Sequence, residues 1–239
     1  MKNLLEINCD LGEGVQNEAL LFPLIDTASI ACGGHYGDDQ TISNSINLAL
    51  AHQKKAGSHP SYPDKKNFGR KTMAITDKDL KKSLLIQILK FEQLAEKVGL
   101  PMEHIKFHGA LYNDAATIPE LADSLTDFIA NHFHHIPIFT SPHSQLEKYA
   151  IEKGLNLRRE VFGDRRYGNN YQLIPRSEIG SLLISETEIS VQVEKLISKG
   201  CVRSNSGKLL PLKADTVCFH GDNPGITLFL PSIRRRLWA

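Results

Sequence analysis

No run of apolar residues in this 239-residue chain approaches the roughly 20 that a membrane-crossing helix requires. The first residues reach Glu6 and Asp10 without an apolar signal-peptide core. Cysteine is scarce. Cys9, Cys32, Cys201 and Cys218 lie far apart with no Cys-x-x-Cys pair, which fits reduced thiols in a cytoplasmic setting better than a disulfide frame or a structural zinc site. An excess of one charge is missing too. With 28 basic and 27 acidic residues the formal charge is +1, so neither nucleic acid nor a membrane surface is expected as a partner. Gly-x-x-x-x-Gly-Lys-Ser/Thr and Gly-x-Gly-x-x-Gly, the two familiar phosphate-cradling loops, are both absent. So are fixed-period repeats and low-complexity linkers, and residues 1–239 read as a single domain able to bury one sizeable core.

What the chain does contain is alternation. Short apolar runs at 4–10, 27–32, 55–58, 105–108, 136–140, 157–162 and 216–219 read as strands. Between and after them, helical periodicity predicts helices near 17–24, 39–53, 77–98, 118–131, 144–153, 187–198 and 226–237. The stretch 169–184 has no period and is long enough to be a lid or functional insertion. Seven strands alternating with helices call for a parallel sheet, either doubly wound or closed. Asp10, His35, His59, His108, His143, Asp164 and His220 each follow the carboxyl end of a different strand. Only a closed ring gathers seven strand ends around one mouth, so an α/β fold of (β/α) barrel type, with about seven parallel strands, is expected.

The inner face of that barrel carries the chemical signal. Asn8, Asp10, Lys106 and His108 are the polar halves of alternating strands, where a barrel packed only for stability would carry branched aliphatics. A lysine there loses its water and needs a carboxylate beside it, Asp10 or Glu160, or else its pKa falls. A purely structural ion pair is the competing account. His35, His59, His108 and His220 with Asp10 or Asp222 would suit a divalent metal that activates water. No short His-x-x-x-His spacing supports it, and acid–base work without metal stays open beside it. His52, His104, His132, His134 and His135 are expected on the surface. Cys32 reads as a small buried residue more readily than as a nucleophile.

Several multi-residue motifs occur in order: Asn8-Cys9-Asp10-Leu11-Gly12-Glu13-Gly14, Ile30-Ala31-Cys32-Gly33 with His35, and His59-Pro60-Ser61. Lys106 with His108-Gly109-Ala110-Leu111-Tyr112-Asn113, Glu160-Val161-Phe162 before Asp164-Arg165, Pro175-Arg176, and His220-Gly221-Asp222 continue the series. Together they resemble the LamB/YcsF family, the A subunit of the prokaryotic ATP-dependent 5-oxoprolinase. The resemblance implies a barrel akin to glycoside hydrolase/deacetylase barrels, and opening of 5-oxo-L-proline to L-glutamate driven by ATP hydrolysis. It also implies B and C partner subunits, with ATP as a co-substrate shared with them. On that reading Asp10, His59, Lys106 and His108 are catalytic. Asn8, His35, Asp164, Arg165 and His220 bind substrate, with Asp164 and Arg165 holding its N–H and carboxylate. A stand-alone metal-dependent amidohydrolase or deacetylase, and a non-catalytic scaffold subunit, are the alternatives. Gly34, Tyr36, Ser58, Phe107 and Arg166 depart from the family's usual residues and are expected to line the mouth.

Overall fold

The computed structural model describes residues 5–16 and 18–238. Seven strands close into a parallel barrel: β1 (Glu6–Leu11), β2 (Thr27–Ala31), β3 (Lys55–His59), β4 (Met102–Ile105), β5 (Ile138–Thr140), β6 (Leu157–Phe162) and β9 (Thr216–His220). The ring runs β1-β2-β3-β4-β5-β6-β9, and β9 pairs with both β6 and β1. This register sets Asp10 beside Ser29 on one side and His220 on the other, so the strand ends that carry polar residues lie level around one mouth. The short β7 (Cys201–Arg203) and β8 (Leu209–Pro211) form an antiparallel hairpin outside the barrel.

Helices α1 (Glu18–Leu21), α2 (Asp39–Ala51), α3 (Asp77–Glu96), α4 (Gly109–Thr117), α5 (Pro119–Phe133), α6 (Gln145–Glu152), α7 (Glu186–Lys199) and α8 (Ile226–Leu237) complete the chain. Their ends follow local chemistry. Asp38 caps α2 in a reciprocal box with Thr41, and Thr76 accepts from the Asp79 amide to start α3. Gly200, at φ 59, stops α7 in the left-handed region. The buried stripe Leu80, Leu84, Ile88, Phe91 and Ala95 on α3 joins Ile7, Cys9, Ala28 and Ile30 in the core between sheet and helices. Among the described residues no helix is long and apolar enough to cross a membrane.

Four features depart from the sequence expectation. The fourth strand, expected over 105–108, runs Met102–Ile105, so Lys106 and His108 follow it rather than belong to it. Helix α4 and the β7–β8 hairpin are additional elements; both are short, and the periodicity of α4 is masked by polar residues that face a cavity. His104, expected on the surface, is buried inside the barrel. Its Nε2 lies 2.9 Å from Ser29 Oγ and its ring stacks on Phe139, while burial first and then Lys106 push its pKa well down, keeping it neutral. The neutral ring fills the barrel at mid-depth without adding charge there.

Gly57 makes room for that histidine, since a Cβ on Gly57 would run into the His104 carbonyl oxygen and ring. Gly57→Ala is therefore expected to destabilise the protein by about 1–3 kcal/mol, the usual cost of overpacking, measured by urea unfolding.

Candidate active site

Strand pleat and barrel closure send Asn8 and Asp10 from β1, Glu160 from β6 and Cys218 from β9 into the interior, where Lys106 enters from the end of β4. The Lys106 ammonium lies 2.7 Å from Asp10 Oδ1, 2.8 Å from Glu160 Oε1, 3.2 Å from Cys218 Sγ and 3.4 Å from Asn8 Oδ1. It is 1% exposed. Burial alone would discharge it, but Asp10, Cys218 and Glu160 together raise its pKa well above the ordinary lysine value. Asp10 is driven the opposite way. Burial pushes its pKa up, yet Lys106 and His59 more than reverse this, and it stays ionised. Glu160 differs from Asp10, because burial outweighs Lys106 and raises its pKa. One ammonium therefore faces one firm carboxylate and one that takes a proton more readily.

Above this cluster sit three histidines. His35 lies parallel to His108 with ring centroids 3.6 Å apart, and His59 stands edge-on to both. Hydrogen bonds fix their tautomers. His59 Nδ1 donates to the Lys106 carbonyl at 2.8 Å, and His108 Nε2 donates to the Phe68 carbonyl at 3.0 Å. These two bonds turn His59 Nε2 and His108 Nδ1 toward one another at 3.0 Å, where each neutral ring presents a lone pair. A cation between them, either a proton shared by the rings or a metal ion, would satisfy both lone pairs. Glu13 Oε1 waits at the same spot, 3.1 Å from His108 Nδ1 and 3.9 Å from His59 Nε2, and accepts from His35 Nε2 at 3.0 Å. Ligand atoms of Glu13, His59 and His108 fall within 4.8 Å of one another, a spacing that suits a divalent ion; Asp10, Cys218 and His220 form a second such group. Burial would raise the Glu13 pKa, but His108 and His35 pull it well below the usual range. Burial lowers His35 to about 4 and lowers His108 as well, with Glu13 opposing.

These groups form the floor of a cavity of about 490 Å³ at the carboxyl ends of the strands. Asp10, His59, Lys106, His108, Arg165 and His220, all expected from the sequence, line it. Asn8, His35 and Asp164 stand behind that wall. Asp164 accepts from His220 Nδ1 at 2.8 Å, from the His220 amide at 3.0 Å and from Asn223 Nδ2 at 2.9 Å, so its carboxylate reaches the cavity through His220. Burial would raise its pKa, and His220 and Asn223 reverse the sign. Arg165 donates to the Ile174 and Ser181 carbonyls, and burial followed by Arg176 lowers its pKa to about 10. The aperiodic 169–184 stretch contributes Leu173, Pro175, Arg176 and Ser177 to the wall. Arg176 and Arg70 both grip Asp222, at 2.6 Å and 2.5 Å, and draw that stretch toward the loop after β3.

Two expectations are corrected here. His143 does not join the ring of strand-end residues; it is exposed, with its Nε2 3.4 Å from the Pro211 carbonyl. Of the five departures from the family's usual residues, Phe107 alone lines this cavity. Gly34 instead packs against Ser61 and Gln87, Tyr36 covers Gly14, Ser58 is enclosed in the barrel, and Arg166 pairs with Glu188 at 2.5 Å. Cys32 is buried as expected, and burial pushes its thiol up to about 12, which leaves it inert. Sequence reasoning passed over Glu13 and Arg70 as site groups. Both lie in loops with no alternation to mark which way a side chain points.

Residues 5–239 match the LamB/YcsF family. The A subunit of 5-oxoprolinase from Vibrio cholerae serotype O1 is 35% identical over 246 aligned positions, covering 99% of this chain and 98% of that protein. Among solved structures, a lactam utilization protein from Thermus thermophilus superposes with a TM-score of 0.88 at 30% identity, covering 99% of this chain and 97% of that one.

The buried ammonium yields a stability test. Lys106, with its raised pKa, stabilises the fold below its ordinary value of 10.5, and Asp10, with its lowered pKa, stabilises it above 3.8. Lys106→Met removes the principal partner and leaves the buried Asp10 carboxylate with His59 beside it but no ammonium, at a cost of about 3–5 kcal/mol near pH 8. The variant's Asp10 then takes up a proton, so the deficit should shrink as pH falls toward 4. Urea unfolding at several pH values checks this, and a deficit independent of pH would contradict the assignment.

Proposed function

We infer the function of this chain from the premise that it belongs to the LamB/YcsF family. It is the A subunit of an ATP-dependent 5-oxoprolinase, a cyclic-amide hydrolase that works with B and C partner subunits in the cytoplasm. The observation that carries this reading is the Lys106 ammonium and the His59–His108–Glu13 cluster on the floor of one cavity, with Arg165 and Arg176 on its wall. The names of the relatives support the substrate and the multisubunit assembly.

A lactam resists hydrolysis because its carbonyl carbon is a weak electrophile and its nitrogen a poor leaving group. Transfer of the terminal phosphoryl group of ATP to the lactam oxygen breaks one P–O bond, releases ADP and makes the ring carbon electrophilic. Water then adds to that carbon and loses a proton, and the ring nitrogen departs as an amine after gaining one. The resulting glutamyl phosphate takes up a second water and gives glutamate and phosphate. Lys106 and His108, which line the cavity, stabilise charge on the lactam oxygen and the transferred phosphoryl group. His59, held by the Lys106 carbonyl and lying 3.5 Å from Asp10 Oδ2, receives the proton from water. Arg165 and Arg176 suit the substrate carboxylate, for which a guanidinium fork is the natural partner. Asn8 orients Lys106, His35 orients Glu13, and Asp164 orients His220, each one contact behind the cavity wall.

The facing lone pairs of His59 and His108 beside Glu13 favour a second reading, a divalent metal held by these three residues in a stand-alone amidohydrolase. Such an ion would polarise the carbonyl and lower the pKa of bound water.

Glutamate formation from 5-oxoproline separates the two. The chain purified with its partner subunits is expected to turn over only with ATP, and His108→Ala to lower kcat by about 10²-fold or more. ATP-independent turnover by the chain alone, with one equivalent of tightly held metal, would establish the amidohydrolase instead.

A further inference from the structure

A second cavity, of about 270 Å³, adjoins the first. Tyr112, Asn113, Phe162, Leu173 and Pro175 line both, so the two are separated by little more than one side chain. Their chemistry differs sharply. The first collects Arg70, Lys71, Lys106, Arg165 and Arg176, whereas among the described residues no lysine or arginine lines the second. The second is walled by aromatic rings, with the amides of Asn113, Asn170 and Gln172 set among them. Its carboxylate, Asp114, is already engaged by the Tyr62 and Thr72 hydroxyls.

We propose that this second cavity holds the nucleoside of a purine nucleoside triphosphate whose phosphates cross the shared wall into the cationic cavity. The proposal rests on the ATP-dependent reading above and assigns the nucleotide a place in a chain that has no glycine-rich phosphate loop. A purine offers two flat faces for stacking and an edge of donors and acceptors; aromatic walls and side-chain amides answer both needs. The polyanion requires what lies next door, guanidinium and ammonium groups.

Two further observations point to a ligand. Tyr112 Oη is buried near the Ser141 side chain but makes no well-formed hydrogen bond among the described residues, although its ring forms part of the shared wall. A phenol hydroxyl left unpaired in this way costs free energy unless a ligand completes it. His143 and Tyr171, whose ring centroids lie 4.3 Å apart on the cavity rim, both hold left-handed backbone, at φ 64 and 68. Strained non-glycine residues on facing loops of one cavity mark a surface shaped for something other than stability. His143, which the catalytic floor leaves unused, thereby gains a role in binding.

Photolabelling with 8-azidoadenosine triphosphate tests the proposal on the full chain purified with its partner subunits. Label competed by ATP is expected on this chain within 141–144 or 167–173. Tyr171→Ala, which removes a stacking face, should weaken labelling about tenfold. Ala116→Phe, which fills the cavity from α4, should abolish labelling even if Tyr171→Ala disturbs the loop. Label confined to a partner subunit or to another part of this chain would overturn the subsite. Glutamate formation from 5-oxoproline is read in the same preparation. Turnover without label in the cavity removes the subsite and leaves the proposed function standing; label in the cavity without turnover does the reverse.

Discussion

One ammonium group governs this barrel. Lys106, enclosed at mid-barrel with Asp10 and Glu160 within 2.8 Å, fixes what the surrounding strands can carry on their inner faces. Taking such charges out of water costs several kcal/mol per ion, and well-packed aliphatic side chains of similar volume would commonly give an equally stable or more stable interior. The cluster is therefore difficult to explain as a device for stability. It is intelligible as preorganisation, since a cation held rigidly among fixed partners at the floor of a cavity needs no rearrangement when negative charge develops above it.

The layer above depends on the same residue through its backbone. The Lys106 carbonyl receives His59 Nδ1–H, and this bond decides which nitrogen of His59 faces His108. The Phe68 carbonyl makes the corresponding decision for His108. Two backbone carbonyls thereby create a site suited to a positive charge between the rings, with Glu13 beside it. Phe68 itself stands in left-handed backbone, at φ 55, which presents its carbonyl to the ring. Strain in that loop is thus coupled to a tautomer on the cavity floor.

Much of this organisation is legible in the sequence because strand alternation is a strong signal. Asn8, Asp10 and Glu160 fall on inward positions of short strands and Lys106 lies just past the end of β4, and the expectation that Lys106 would need Asp10 or Glu160 is met by contacts with both. The closed seven-strand barrel follows from the same pattern. Loops carry no period, and there the reading fails. Glu13 and Arg70 could not be oriented, His143 was placed at the mouth although its loop turns outward, and His104 looked like a surface histidine because nothing local reveals that Gly57 leaves it space. Asp164 and Arg165, adjacent in sequence, have separate surroundings, one tied to His220 and the other to carbonyls of the aperiodic stretch. Adjacency along the chain does not predict a shared ligand.

On the proposed function, Lys106 is a charged, buried group that meets substrate. The most direct measurement is the ¹⁵N resonance of its Nζ followed across pH, with and without 5-oxoproline. The ammonium signal is expected to persist beyond the ordinary lysine value of 10.5 and to move when 5-oxoproline is added. A resonance that titrates below that value, or one that substrate leaves unmoved, would contradict it.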